Sequence, residues 1–232
     1  MKQIRTAEAR GHANIGWLES YHSFSFADYY DPEHMGVSIL RVINDDHIAP
    51  SGGFPTHPHR DMEIVTYILD GVLEHKDSMG NGSLIRPGDI QHMSAGTGVR
   101  HSEFNHSHSE PVHLLQIWLL PNRQGVTPGY NQKHFPLSER RGVLQILVSP
   151  DGRSGSISAH QDGLLYGTLL EQGDSVSHDL AAGRTAYLHV ARGKVLINGE
   201  TLSAGDAITL SDEPTVSLTG IDQAEVLLFD LP

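Results

Sequence analysis

The chain has 232 residues, enough for one large all-β domain or two small ones, and its 38% hydrophobic content allows a sizeable core. Sixteen Lys and Arg against 28 Asp and Glu give a net charge of −12 with no basic run, which argues against nucleic acid or an anionic membrane as partner. The absence of cysteine removes disulfides, thiolate ligands and a cysteine nucleophile and suits a reducing cytoplasm, whereas 16 histidines invite a metal or proton-transfer role.

Met1-Lys2-Gln3-Ile4-Arg5 leads into polar residues without the apolar stretch of a signal peptide, so a cytoplasmic location is expected. No apolar run approaches the ~18 residues of a membrane span. Leu18 to Tyr30 is dense in aromatic residues (Tyr21, Phe24, Phe26, Tyr29) and is expected to pack over a β-barrel wall, with His22 or Tyr30 as pocket-lining alternatives. Val37 to Ile43 is β-branched and predicts a buried strand, and Asn44-Asp45-Asp46 is expected to turn the chain. Strands follow at 63–69, 72–76, 90–94, 99–104 and 111–120, punctuated by Asp70-Gly71, Asp77 to Gly82, Pro87-Gly88-Asp89 and Ala95 to Gly98. Residues 121–140, with Pro121, Gly125, Pro128, Gly129 and Pro136, have linker composition. Beyond Val143 come further short strands, with Asn198-Gly199 as a hairpin turn. Long helical periodicity is absent, and many short strands with regular turns predict sandwich or barrel architecture.

An internal repeat points to two similar units. Glu63 to Ser94 and Ala186 to Ser211 share the order strand, Gly turn, strand, Gly turn, Pro/Ala-Gly-Asp, strand. The expected division is residues 1–133 and 134–232, each an antiparallel barrel.

The first unit carries the chemistry. Thr56-His57-Pro58-His59 and Arg100-His101-Ser102-Glu103 each place two strong ligands one residue apart, and residues i and i+2 of a strand share a face. If the two strands lie side by side, His57, His59, His101 and Glu103 converge on one metal ion. Three nitrogens and one oxygen suit iron, manganese, nickel, cobalt, copper or zinc, with positions left for water, O₂ or substrate. Glu63 and His92 compete as ligands; His106, His108 and His113 read as loop or core histidines, and His75 and His12 carry no spacing signal. The second unit has only the isolated His178 and His189, so no metal is expected there.

The runs Gly52 to Gly71 (GGFPTHPHRDMEIVTYILDG) and Met79 to Glu103 (MGNGSLIRPGDIQHMSAGTGVRHSE), with Ser20 to Pro32 (SYHSFSFADYYDP), resemble the pirin family of the cupin superfamily. The resemblance covers essentially the whole chain. It implies a bicupin of two tandem jelly-roll β-barrels. It also implies one divalent transition metal, iron first, on His57, His59, His101 and Glu103. Among its members it is nearest to bacterial proteins with quercetin 2,3-dioxygenase activity. A flavonol and O₂ would then be the substrates, carbon monoxide a product, and Glu103 the catalytic proton acceptor. His92 falls where a general cupin pattern has a histidine ligand and pirins have an apolar or aromatic residue. The resemblance equally allows a non-enzymatic, redox-sensitive regulator acting through a protein partner. A monomer is expected.

Overall fold

A computed structural model describes all 232 residues, and their regular structure is β-strand apart from three short 3₁₀ turns. The chain divides into two compact units, one of residues 11–134 and 159–161, the other of residues 1–10, 135–158 and 162–232.

The strands of the chain's first half are β1 Lys2–Arg5, β2 Gly11–Asn14, β3 Leu18–His22, β4 Leu40–Ile48, β5 Gly53–His59 and β6 Glu63–Asp70. They continue with β7 Leu73–Asp77, β8 Gly82–Ile85, β9 Asp89–Ser94, β10 Val99–Asn105, β11 Val112–Leu119 and β12 Gly129–His134. The second half adds β13 Gln145–Ser149, β14 Ile157–Ser158, β15 Leu164–Leu170, β16 Ser175–Asp179 and β17 Thr185–Arg192. It ends with β18 Lys194–Ile197, β19 Glu200–Ser203, β20 Ala207–Ser211, β21 Thr215–Gly220 and β22 Ala224–Leu231.

Each unit holds a seven-stranded and a four-stranded sheet, and the two sheets are not joined into a closed ring of hydrogen bonds. The first unit has the orders β12-β9-β6-β11-β4-β3-β2 and β5-β10-β7-β8. The second has β1-β20-β17-β22-β15-β13-β14 and β16-β21-β18-β19, the same topology strand for strand at the core positions. Residues 1–10 belong to the second unit because β1 pairs with β20 there, as β12 pairs with β9 in the first. Thus a strand from residues 121–140, expected as plain linker, covers a sheet edge that would otherwise present unpaired backbone groups.

The turn chemistry repeats as well. Asp89 and Asp206 each accept the backbone N–H three residues earlier, from Arg86 and Ser203, and Gly88 and Gly205 have φ of +93° and +86°. Asn198 and Gly199 make the expected two-residue hairpin, with Ile197 opposite Glu200. Asp70-Gly71 differs: it carries the chain from the seven-stranded sheet into the four-stranded one rather than folding β6 back on itself. Glycine is needed there, because at φ +80° an added Cβ would lie 2.6 Å from the Pro111 carbonyl oxygen.

The interiors diverge. In the second unit the space between the sheets is filled by one apolar cluster that includes Leu188, Val190, Val195, Val216, Leu218, Val226 and Leu228. In the first unit apolar packing splits into two smaller clusters, one around Ile48, Leu73 and Leu114, the other around Ile64, Met93 and Val99. Asn44-Asp45-Asp46, expected as a turn, runs straight through β4. Pairing with β3 on one side and β11 on the other satisfies its backbone, and strand alternation turns Asn44 and Asp46 to the opposite face from Asp45.

Candidate metal centre

β5 and β10 lie side by side, with His57 opposite His101. Along β10 the burial alternates, so Val99, His101, Glu103 and Asn105 face inward while Arg100 and Phe104 are exposed. Between His101 and Glu103 the register shifts, Glu103 pairing with Phe54, so β5 carries one extra residue. Pro55, which has no N–H to give to a ladder, occupies this bulge.

The structure brings the three histidines together. Ring centroids are 4.4 Å apart for His57–His101 and 4.8 Å for His57–His59 and His59–His101. One ligand nitrogen from each lies within 4.8 Å of the others. Glu103 joins from the His101 side, its Oε2 4.0 Å from His101 Nε2, and with His57 and His59 it lines a cavity of about 630 Å³.

Three of the four donors are oriented by a hydrogen-bond partner. His57 Nδ1–H donates to the Pro55 carbonyl at 2.8 Å, which leaves the Nε2 lone pair for an ion. His75 Nε2 lies 3.4 Å from the Asp77 carboxylate, which only accepts, so His75 Nδ1 is an acceptor for His101 Nδ1–H at 3.4 Å. That chain of bonds leaves His101 Nε2 buried with no hydrogen-bond partner. Gln116 donates from Nε2 to Glu103 Oε1 at 3.1 Å and is itself held through Oε1 by Thr66 at 3.1 Å. A ligating histidine held through its other nitrogen is a usual feature of metal sites.

The electrostatics favour neutral imidazoles. Burial, then the neighbouring His57 charge, lowers His59 to about 4, and burial with the neighbouring histidines lowers His101 to about 2. Burial raises Glu103 to about 7 against the Gln116 hydrogen bond, with Asp46 adding repulsion. Unprotonated nitrogens on His59 and His101 beside a destabilised carboxylate fit a divalent cation, whose charge reverses the penalty on Glu103.

The competing ligands are elsewhere. Glu63 is buried and accepts from His92 Nε2 at 2.7 Å, Ser94 Oγ at 2.6 Å and the His160 backbone N–H at 3.0 Å. Burial works against its charge, but these donors hold its pKa below the ordinary value. His92 is therefore the partner of Glu63. His106 contacts Glu74, His108 contacts Ser51 and His113 contacts Asp45.

The aromatic segment, expected over a barrel wall, lines the cavity instead, as the alternative had it for His22 but not for Tyr30. Phe26 meets Trp118 edge-on at 5.3 Å, and His22, Phe26 and Tyr29 line the cavity, whereas Tyr30 is exposed. One wall is polar: Ser20 donates to Asp46, and His22 Nδ1 is 2.8 Å from Asn44 Oδ1. Sequence reasoning missed His75, Asp77, Gln116, Asn44 and Asp46, whose roles come from cross-strand neighbours rather than spacing.

Residues 3–119 match the Pirin family model, and residues 146–231 match that of the quercetinase C-terminal cupin domain. The quercetin 2,3-dioxygenase of Escherichia coli K12 is 50% identical over 232 residues, which is 100% of this chain and 99% of that protein. A pirin-like protein of Caulobacter vibrioides is 41% identical over 95% of each chain. The crystal structure of the Escherichia coli bacterial pirin YhhW in complex with nickel(II) superposes with a TM-score of 0.95 at 50% identity, covering 100% of this chain and 99% of the other. On the shared sequence, topology and clustered histidines, this chain belongs to the pirin family.

Proposed function

We propose that this chain is a metal-dependent quercetin 2,3-dioxygenase, which opens a flavonol with O₂ and releases carbon monoxide. The observation that carries it is the convergence of His57, His59 and His101 beside Glu103 on a cavity of ligand size, in a chain 50% identical to a protein of that name. His57, His59, His101 and Glu103 would hold one divalent transition metal. Residues 1–133 would carry the active centre and residues 134–232 none, since Val176, Val216 and Leu218 stand on the strands matching β5 and β10. The N₃O donor set serves iron and nickel alike, so iron is the first metal to load and nickel, found in a relative, the second.

The ion when bound supplies Lewis acidity, which lowers the pKa of a substrate hydroxyl. Glu103, the only oxygen donor of the set, accepts the flavonol 3-hydroxyl proton, and Gln116 keeps its carboxylate aimed at the cavity. Phe26, Phe54, Ile64 and Trp118 exclude water around the flavonol rings. Ser20, His22, Asn44 and Asp46 offer hydrogen bonds to its outer hydroxyls. No helix is long and apolar enough to cross a membrane, and the cysteine-free chain suits the cytoplasm, where we place it.

Mixing metal-loaded protein with quercetin in air should bleach the flavonol absorbance with matching O₂ uptake. Absence of turnover with iron, manganese, nickel, cobalt and copper in turn would overturn the reading.

A further inference from the structure

We propose that the outer face of the first unit's seven-stranded sheet carries a second, independent site for a divalent transition-metal ion, formed by Asp45, His47 and His113. This goes beyond the dioxygenase centre and uses none of its residues. Asn44 and Asp46 of β4 and Gln116 of β11 line the cavity, so Asp45, His47 and His113 stand on the other side of the same sheet.

The geometry is that of a chelating cross-strand pair. His47 and His113 are directly opposite each other in the antiparallel register of β4 and β11. Their rings stack 3.9 Å apart at an interplanar angle of 18°. Asp45, two residues before His47, shares their face. Its Oδ1 is 2.6 Å from His113 Nε2 and 3.9 Å from His47 Nε2. One donor atom from each of the three lies within 4.8 Å of the others.

Metal–nitrogen and metal–oxygen bonds of about 2.0–2.2 Å set ligand atoms roughly 3–4 Å apart. The trio reaches that spacing by small side-chain rotations on a rigid sheet. Without an ion, His113 Nε2–H donates to Asp45, and binding replaces that proton. Glu19, opposite His47 on β3, adds a second carboxylate beside the site.

Elsewhere on the surface imidazoles and carboxylates meet only in twos, as in His12–Glu19, His34–Asp31, His106–Glu74 and His134–Asp89. Apart from the two groups that share His101 at the proposed centre, three donors converge only here. Two imidazoles and one carboxylate with open positions suit zinc, nickel and copper better than magnesium or calcium. The His47 side chain is 43% exposed, which leaves the site open to solvent.

The test is a count of ions. Metal-free full-length protein is dialysed against Zn²⁺, and separately Ni²⁺, and bound metal is measured by elemental analysis. Wild type should hold two ions per chain. The pair His47→Ala/His113→Ala should hold one, and the pair His57→Ala/His59→Ala should keep the outer one. Because the first pair alters the sheet, His47→Gln alone, at the most exposed of the three positions, should weaken the second ion at least tenfold with the fold intact. Bound metal that neither His47→Gln nor the His47→Ala/His113→Ala variant lowers overturns the proposal, whatever the wild-type count. The count holds whether or not the protein turns over quercetin, so failure of the dioxygenase reading leaves this result distinguishable.

Discussion

At the scale of single residues, His57, His101 and Glu103 of the proposed centre each depend on a neighbour that touches no ion. His101 is the clearest case, because the bond to His75 and from His75 to Asp77 decides which of its nitrogens carries the proton. Replacing His75 by Phe keeps the ring volume and removes the acceptor. Metal affinity should fall about 10–100-fold, measured by competition with a coloured chelator. Glu63 makes the opposite case. It is a carboxylate that the sequence offers as a competing ligand, yet here three donors consume it. Glu63→Ala strands His92 and Ser94 in the interior and should cost roughly 3 kcal/mol in urea unfolding. Metal binding by the folded fraction should survive, which separates Glu63 from the ligands.

Among the elements, β10 is where pattern and position coincide most tightly. Its period-2 burial aims His101 and Glu103 inward, and the bulge at Pro55 sets how far β5 slides past them. The last strand, β22, illustrates a different dependence. Burial disfavours the charge on Asp230, but His178 and Arg184 outweigh it and hold the carboxyl below its ordinary 3.8. A carboxyl with a depressed folded pKa binds fewer protons than in the unfolded chain, so its contribution is present above about pH 3.8 and is lost as pH falls through the folded value. The stability difference between wild type and Asp230→Asn should therefore be constant near neutral pH and shrink below about pH 3.8. Denaturant titrations along an acid series would read it, and a difference that grows on acidification would contradict the assignment.

For the whole molecule, two units of one topology have opposite interiors. One is filled with aliphatic side chains, and the other is divided around polar groups and a cavity. A unit that gathers several ionisable groups on one cavity gains most from a bound cation, by mass action. Adding metal should raise hydrogen-exchange protection in residues 53–59 and 99–105 and leave residues 185–231 unchanged. Equal protection in both halves would mean that the ion acts elsewhere.

The alternation of His57 with His59 and of His101 with Glu103, the turn residues of the repeat and the pirin-like runs were legible in the residue order, because strand period and turn chemistry are local. The duplicated jelly-roll topology followed from them. Three things were not legible. Asn44-Asp45-Asp46 has turn composition, yet neighbouring strands on both sides supply its hydrogen bonds. Residues 129–134 look like linker but pair with β9, and the first strand pairs with β20 more than two hundred residues away. His75 and Gln116 have no spacing signal at all. Their work is done across strands, where register brings together residues far apart in number. The chain alone thus determined which side chains offer donors to each face, since that depends only on alternation. Which donors meet, and which are taken by other partners, was decided by the pairing of distant strands.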